Sequence, residues 1–250
     1  MKNQTVFSAI LGAIARGDRQ YWVLLDPDDF PQREAADLAA YAQKQCGVDA
    51  ILVGGSLMHT ARFDAFVAAV KKSVSIPVIL FPGDATQLSR HADALLYLSL
   101  ISGRNPVNLI GEHVKAAPLI RTIGIEPIAT AYMLIESGTV TSVEFMSNTR
   151  PLPREKPAIA AAHALAAQYM GMKLVYLEAG SGAKQTVPEA LIREVRNHVD
   201  VPIIVGGGIR DAKTAKRLVA AGADIIVTGN MLRRPGGRQR MKEIAKAVKG

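Results

Sequence analysis

A single (β/α)₈ barrel is the fold this sequence predicts, and three features of the chain carry that prediction. Its 250 residues match the size of one such barrel. Short apolar runs alternate with alanine-rich stretches of helical period, and the apolar runs number eight. Most runs are continuously apolar rather than alternating, as strands covered on both faces of a parallel sheet are. An open doubly wound sheet repeats the same βα unit, but eight strands in a domain of this length favour closure. Residues 1–250 therefore read as one domain.

The elements follow in order. Residues 6–15 are apolar, with Phe7, Ile10, Leu11 and Ile14 on one helical face and no small-residue cleavage site after them. They read as a helix rather than a signal segment. The strand runs are YWVLLD (21–26), AILVGG (50–55), PVILFPG (77–83), ALLYLSL (94–100), TIGIEPI (122–128), LVYLEAG (174–180), PIIVGGG (202–208) and IIVTGN (225–230). Between them, Ala36, Leu38, Ala39 and Ala42 mark one helix, and Leu191, Ile192 and Val195 another. Two places break the even repeat. Only ten residues, Asp84 to Asp93, separate the third and fourth runs, so the helix there is shortened or missing, or else a short three-turn helix. After the fifth run, residues 129–135, a Ser137-Gly138 turn and residues 139–145 predict a β-hairpin. It leads into SNTRPLPREKP (147–157), a loop of a length that is functional or disordered in compact domains.

Hydrophobic residues at 49% and charged residues at 21% are an ordinary soluble balance, so the net charge of +8 is the unusual quantity. It suits an anionic partner. Aromatic residues are only 5% and no nucleic-acid module is visible, so phosphorylated metabolites or an acidic membrane surface fit better than nucleic acid. The lone Cys46 excludes an internal disulfide and points to a reducing, cytoplasmic setting. No run approaches the roughly 20 apolar residues that span a bilayer.

In barrels of this kind, active residues stand at the C-terminal ends of the strands. The seventh and eighth runs end in Gly206-Gly207-Gly208 and Gly229-Asn230. Glycines there let backbone N–H groups approach an anion, with a following helix N-terminus adding positive potential; the plainer reading is that they only make tight turns. The sixth run ends in Tyr176-Leu177-Glu178-Ala179-Gly180-Ser181-Gly182, and alternation puts Tyr176 and Glu178 on one face, toward the barrel mouth. A carboxylate there binds hydroxyls or takes a proton, unless it is a structural glutamate paired with a lysine. The first run ends in Asp26-Pro27-Asp28-Asp29, hard oxygen ligands that suit Mg²⁺ completed by substrate phosphates. Asp26 is read as the metal ligand, and at least one of Asp28 and Asp29 as a cap for the helix near Pro31. The hydroxyl of Ser56, after Gly54-Gly55, joins that metal or serves only a turn. His59, His91, His113, His163 and His198 share no metal-ligand spacing, and no Ser-His-Asp arrangement is legible. The basic stretch Arg233-Arg234 through Arg238, Arg240 and Lys242 is a solvated face or an attractor of phosphates or membrane.

Taken in order, DPDD, GGS, YLEAGSGA, GGGI and TGN resemble the geranylgeranylglyceryl phosphate synthases and their bacterial relatives, the prenylglyceryl phosphate synthases. The similarity runs over roughly residues 18–232; YLEAGSGA with the late GN is specific to that family, whereas GGGIR is shared with many phosphate-binding barrels. The resemblance implies a prenyltransferase that forms an ether bond between the 3-hydroxyl of sn-glycerol 1-phosphate and a polyprenyl diphosphate. Geranylgeranyl diphosphate is the expected donor, pyrophosphate the by-product and Mg²⁺ the cofactor. It further implies Asp26 and Ser56 as Mg²⁺ ligands and Asp26 and Glu178 as catalytic residues. Tyr176, Leu177, Glu178, Ala179, Gly180, Ser181 and Gly182 would hold the glycerol phosphate, with Gly207, Gly208, Gly229 and Asn230 around its phosphate. This chain departs from the pattern at Asp29, where many relatives have lysine, and at Val23-Leu24, where lysine is also common. A strand-one contribution to phosphate binding is therefore not carried over.

A polyprenyl tail cannot fit inside a barrel filled with side chains, so it needs an apolar groove down an outer side. The thin spacer at 84–93 places that groove beside the third and fourth strands, with Tyr97 at its floor unless Tyr97 is a plain core residue. The expected partners are the two substrates, a membrane surface touched peripherally, and further copies of the chain in a homo-oligomer. Two other functions compete. A sugar-phosphate isomerase or synthase of the histidine or tryptophan pathway type needs acids or bases after strands one and five, where Ile125-Glu126-Pro127 is a poor match. A non-catalytic barrel that binds phosphate ligands would not need Asp26, Ser56 and Glu178 together.

Overall fold

The computed structural model describes residues 5–60 and 62–250. Its strands are β1 (Gln20–Leu25), β2 (Ala50–Val53), β3 (Val78–Leu80), β4 (Ala94–Leu100), β5 (Glu126–Leu134), β6 (Leu174–Glu178), β7 (Ile203–Gly206) and β8 (Ile225–Thr228). They close into a barrel in sequence order, each pair parallel, with Gln20 to Val23 of β1 beside Ile225 to Thr228 of β8. The helices are α1 (Thr5–Ala15), α2 (Gln32–Cys46), α3 (Phe63–Ser73), α4 (Glu112–Ile123), α5 (Ser142–Ser147), α6 (Pro157–Tyr169), α7 (Glu189–Arg196), α8 (Ala212–Ala220) and α9 (Gly237–Lys249).

Strand alternation divides the core into two shells. Trp22, Leu52, Ile79, Leu96, Tyr176 and Ile204 fill the barrel, while Val23, Val53, Leu80, Leu177 and Val205 face the helices. Helix α1 sits at the N-terminal end, where buried Val6 and Ile10 join the inner shell. The Glu126 carboxylate accepts the first-turn N–H groups of Val6 (2.9 Å) and Phe7 (3.3 Å), an anion at a helix N-terminus. The apolar stretch is thus a helix, but its inward face is Val6, Phe7, Ile10 and Ile14, and Leu11 is exposed. In α2 the buried residues are Ala35, Leu38, Ala39 and Ala42, so Ala35 takes the place expected of Ala36.

The region around β5 corrects the sequence reading. TIGIEPI joins the end of one element to the start of the next: α4 ends at Ile123, Gly124 caps it with φ of 73°, and β5 begins at Glu126. Residues 129–134 then continue β5 instead of forming a hairpin, because both neighbours hold it: β4 from Ala94 to Leu100 and β6 from Leu174 to Glu178. The chain beyond Gly138 forms α5, whose first turn is capped by Thr141, its hydroxyl oxygen accepting from Glu144 N–H. The proline-rich loop is ordered, Leu152 pairing beside Ile135.

The spacer between β3 and β4 contains no helix. In its place the fully buried Gln87 side chain accepts from Gly55 N–H (3.2 Å) and donates to Gly55 C=O (2.8 Å), pinning the loop after β2.

Candidate active site at the barrel mouth

The C-terminal loops enclose a cavity of about 510 Å³. Asp26, Ser56, Tyr176, Glu178, Gly180, Ser181, Gly182, Gly207, Gly208, Gly229 and Asn230 all line it. Leu177 and Ala179 do not; alternation sends both into the outer core, so the YLEAGSG run contributes side chains to two faces.

Glu178 is the most constrained of these groups. It is only 6% exposed, and its Oε1 accepts the Gly180 N–H at 2.6 Å. Burial pushes its carboxyl up to about 7, against stabilisation of the charged form by Gly180 N–H. The glycines after β7 make its space. A Cβ on Gly206 would overlap Tyr176 Oη and lie 2.9 Å from Glu178 Oε2, and one on Gly207 would overlap Glu178 Oε1. Gly207 and Gly208 also hold positive φ of 80° and 71°, the left-handed region that glycine enters at no steric cost. The tight-turn and open-backbone readings of these glycines thus hold together, with a third role that neither foresaw. Across the mouth, Ser181 and Asn230 exchange hydrogen bonds of 2.8 and 3.1 Å, tying the loops after β6 and β8.

Asp26 stands on the inward face at the end of β1, with its carboxylate against Gly55, where a Cβ would overlap it. Partial burial pushes it up to about 6; the Asp28 N–H holds it down, and the nearby Asp29 and Asp28 carboxylates add to the rise. Neither of those neighbours caps a helix. Pro31 occupies the N-cap of α2 without a side-chain bond. Asp28 instead accepts His59 N–H (2.7 Å) and Thr60 N–H (3.0 Å), and Asp29 pairs with Arg233 at 2.7 Å. The capping expectation fails because the β2 loop and the segment after β8 reach these carboxylates first. Among the described residues no set of three or more His, Cys, Asp or Glu side chains forms a metal cage.

Three aromatic rings close the floor. Phe81 stacks on Tyr176 (centroids 5.3 Å, 24°), and Tyr132 meets both edge-on at 5.7 and 5.4 Å. Phe81 and Tyr132 also line a second cavity, of about 320 Å³, that runs beside β3 and β4 past Leu88, Leu96, Leu98 and Val143. The missing helix leaves this groove open. Tyr97 lines it, half-buried, with its hydroxyl donating to His113 C=O at 2.6 Å. Phe81 and Tyr132 were not singled out by sequence: Tyr132 fell in the supposed hairpin, whereas extending strand five by alternation from Ile128 would have turned it inward. Arg234 and Arg240 of the basic stretch reach the main cavity, whereas Arg233 is engaged by Asp29. Glu136, the first acid after β5, is exposed and does not line the cavity. The acid–base pair that a sugar-phosphate isomerase would need is therefore incomplete at strand five.

Fold and site together define a (β/α)₈ barrel with a polar mouth that opens through an aromatic wall into an apolar side groove. Residues 14–248 match the PcrB family, and the chain belongs to it. It is 46% identical to the geranylgeranylglyceryl phosphate synthase of Chitinophaga pinensis, over 97% of this chain and 95% of that protein. It is 48% identical to the synthase of the same name from Thermococcus gammatolerans, over 93% of each. Among solved structures it superposes with TM-score 0.92, at 36% identity and 98% coverage of both chains, on (S)-3-O-geranylgeranylglyceryl phosphate synthase from Thermoplasma acidophilum, crystallised with its substrate sn-glycerol-1-phosphate.

Proposed function

We propose that this protein joins the 3-hydroxyl of sn-glycerol 1-phosphate to a polyprenyl diphosphate, geranylgeranyl diphosphate being the expected donor, and releases pyrophosphate. The observation that carries the reading is the position of Glu178, a buried carboxylate beside the aromatic wall that separates a polar cavity from an apolar groove. The Thermoplasma relative, crystallised with sn-glycerol-1-phosphate, supports the acceptor.

In this reading the acceptor's phosphate lies against the backbone of Gly207, Gly208, Gly229 and Asn230, and its glycerol carbons lie along β6. That anchorage presents the 3-hydroxyl to Glu178 and makes the attack effectively intramolecular. The allylic C1–O bond to diphosphate breaks as the glycerol oxygen bonds to C1. The faces of Phe81, Tyr132 and Tyr176 stabilise the positive charge that develops on the allyl group and exclude the water that would capture it. Glu178 then takes the hydroxyl proton, which becomes acidic as the oxygen bonds to carbon.

Asp26 and Ser56 fit Mg²⁺, which is held by one or two carboxylates and substrate phosphates rather than an all-protein cage. The half-buried Asp26, crowded by two other carboxylates, is the kind of group a cation would relieve. Bound there, Mg²⁺ would supply positive charge to the diphosphate oxygens.

The prenyl tail occupies the groove beside β3 and β4. Tyr97→Ala should let longer prenyl diphosphates compete better, at about 3 kcal/mol or less of stability for a half-buried ring. An unchanged chain-length preference in the folded variant would remove Tyr97 as the limiter. Gly206→Ala should displace Glu178 and Tyr176 and cost roughly a hundredfold in turnover, read from kcat in a protein whose melting shows it folded; near-normal kcat would mean that the site tolerates their displacement.

The function itself is tested with purified protein, Mg²⁺, radiolabelled sn-glycerol 1-phosphate and prenyl diphosphates of increasing length. Label should move into the organic phase, with one chain length preferred. No transfer with any donor would overturn the proposal.

A further inference from the structure

The rim of the side groove carries a surface the reaction does not use. A π-helical turn, Val107–Gly111, leads into α4, and on this segment Val107, Ile110 and Val114 are 48%, 59% and 66% exposed. Beside it, α5 presents Phe145 at 78% and Met146 at 50%. The two segments are tied by Asn105, whose side-chain N–H donates to Ser147 C=O at 2.7 Å. Large apolar side chains clustered this way on a surface mark an interaction site.

We infer that this rim is a docking face for an anionic lipid bilayer, against which the groove opens. This rests on the groove being the tail site, and three observations select the bilayer over another occupant. Val107 and Met146 belong both to the exposed patch and to the groove lining, so the apolar surface is continuous from outside to the tail's path. A protein seated on the patch would seal that outlet, whereas a bilayer is a medium from which a prenyl chain enters and to which the apolar product returns. The flanks are cationic: residues 103–124 and 139–151 carry Arg104, Lys115, Arg121 and Arg150, against two acids, Glu112 and Glu144. Both acids are half-buried, and Glu112 is engaged by Lys115 and by Ala85 N–H. Two copies meeting across this face would bring like charges together, whereas anionic headgroups meet opposite ones. No helix among the described residues is long and apolar enough to cross a membrane, so the contact is peripheral, through side chains set into the headgroup boundary.

The test uses the full chain and two sets of vesicles, one containing phosphatidylglycerol and one of phosphatidylcholine alone. Ile110, Val114 and Phe145 lie outside the groove lining, so Ile110→Ser, Val114→Ser and Phe145→Ser are combined. Wild-type protein should sediment with the anionic vesicles. The triple variant should bind at least about tenfold more weakly, yet keep its turnover on a short, water-soluble prenyl diphosphate without vesicles. Absence of binding to anionic vesicles, or equal binding by the variant, would overturn the inference. So would a change of oligomeric state in sedimentation velocity, which would make the patch a contact between copies. The vesicle-free turnover reports separately on the proposed reaction, so a failure of that reading is distinguishable from a failure of the docking face.

Discussion

Glu178→Gln should lower the rate of the chemical step by about two to four orders of magnitude, the usual worth of a general base, in a protein that remains folded. Glutamine keeps the shape, and its carbonyl oxygen can still accept the Gly180 N–H that Glu178 accepts, but it cannot take the proton. The substitution should also stabilise the barrel at alkaline pH. Burial raises Glu178 from 4.5 to about 7, so between those values the native state holds a proton that the unfolded chain has released. Stability from this group is therefore fully present below its unfolded value and is lost as pH rises through about 7. At about pH 8 the wild type carries a penalty on the order of 3 kcal/mol that the glutamine variant lacks, at 1.36 kcal/mol per unit. Turnover of the wild type should rise through the same range as the basic form appears. Single-turnover kinetics and thermal melts at acid and alkaline pH check all three expectations. A near-normal chemical step would leave Glu178 an orienting group.

Asp26→Asn is the second large effect. Removing the carboxylate should reduce kcat by about a hundred- to a thousandfold, the scale of losing one charge-stabilising group at a leaving oxygen. Binding of sn-glycerol 1-phosphate should change little, because its proposed anchorage lies on the β6, β7 and β8 loops. Kinetics with both substrates and calorimetry with the acceptor alone separate the two quantities. Equal loss in both, or loss in neither, would contradict a role at the diphosphate.

The parts of this molecule that the sequence made legible are those that obey a local period. Seven of the eight strand runs fall on strands of the barrel, because continuous Val, Ile and Leu have no other use in so short a run. The fifth was misplaced because a helix end and a strand start abut with a single glycine, Gly124, between them. The inward positions of Asp26, Tyr176 and Glu178 also follow from alternation and were read correctly. What stayed hidden depends on contacts across the mouth. The engagement of Asp28 by the β2 loop, the pairing of Asp29 with Arg233 and the meeting of Phe81 with Tyr132 join segments far apart in the chain, and no spacing announces them. The same holds for Gly206 and Gly207, whose lack of a side chain looks like anion binding in one dimension and proves in three to be room for Glu178 as well.

The central claim is that the glycerol oxygen, held beside Glu178, attacks the allylic carbon as the carbon–oxygen bond to diphosphate breaks. It is tested most directly by preparing sn-glycerol 1-phosphate with oxygen-18 in its 3-hydroxyl, letting the protein consume it with geranylgeranyl diphosphate and Mg²⁺, and weighing both products by mass spectrometry. The account predicts that the heavy oxygen is retained in the ether of the prenylated glycerol phosphate and that the pyrophosphate is unlabelled. Label in the pyrophosphate, or no ether product while pyrophosphate is released, would contradict it.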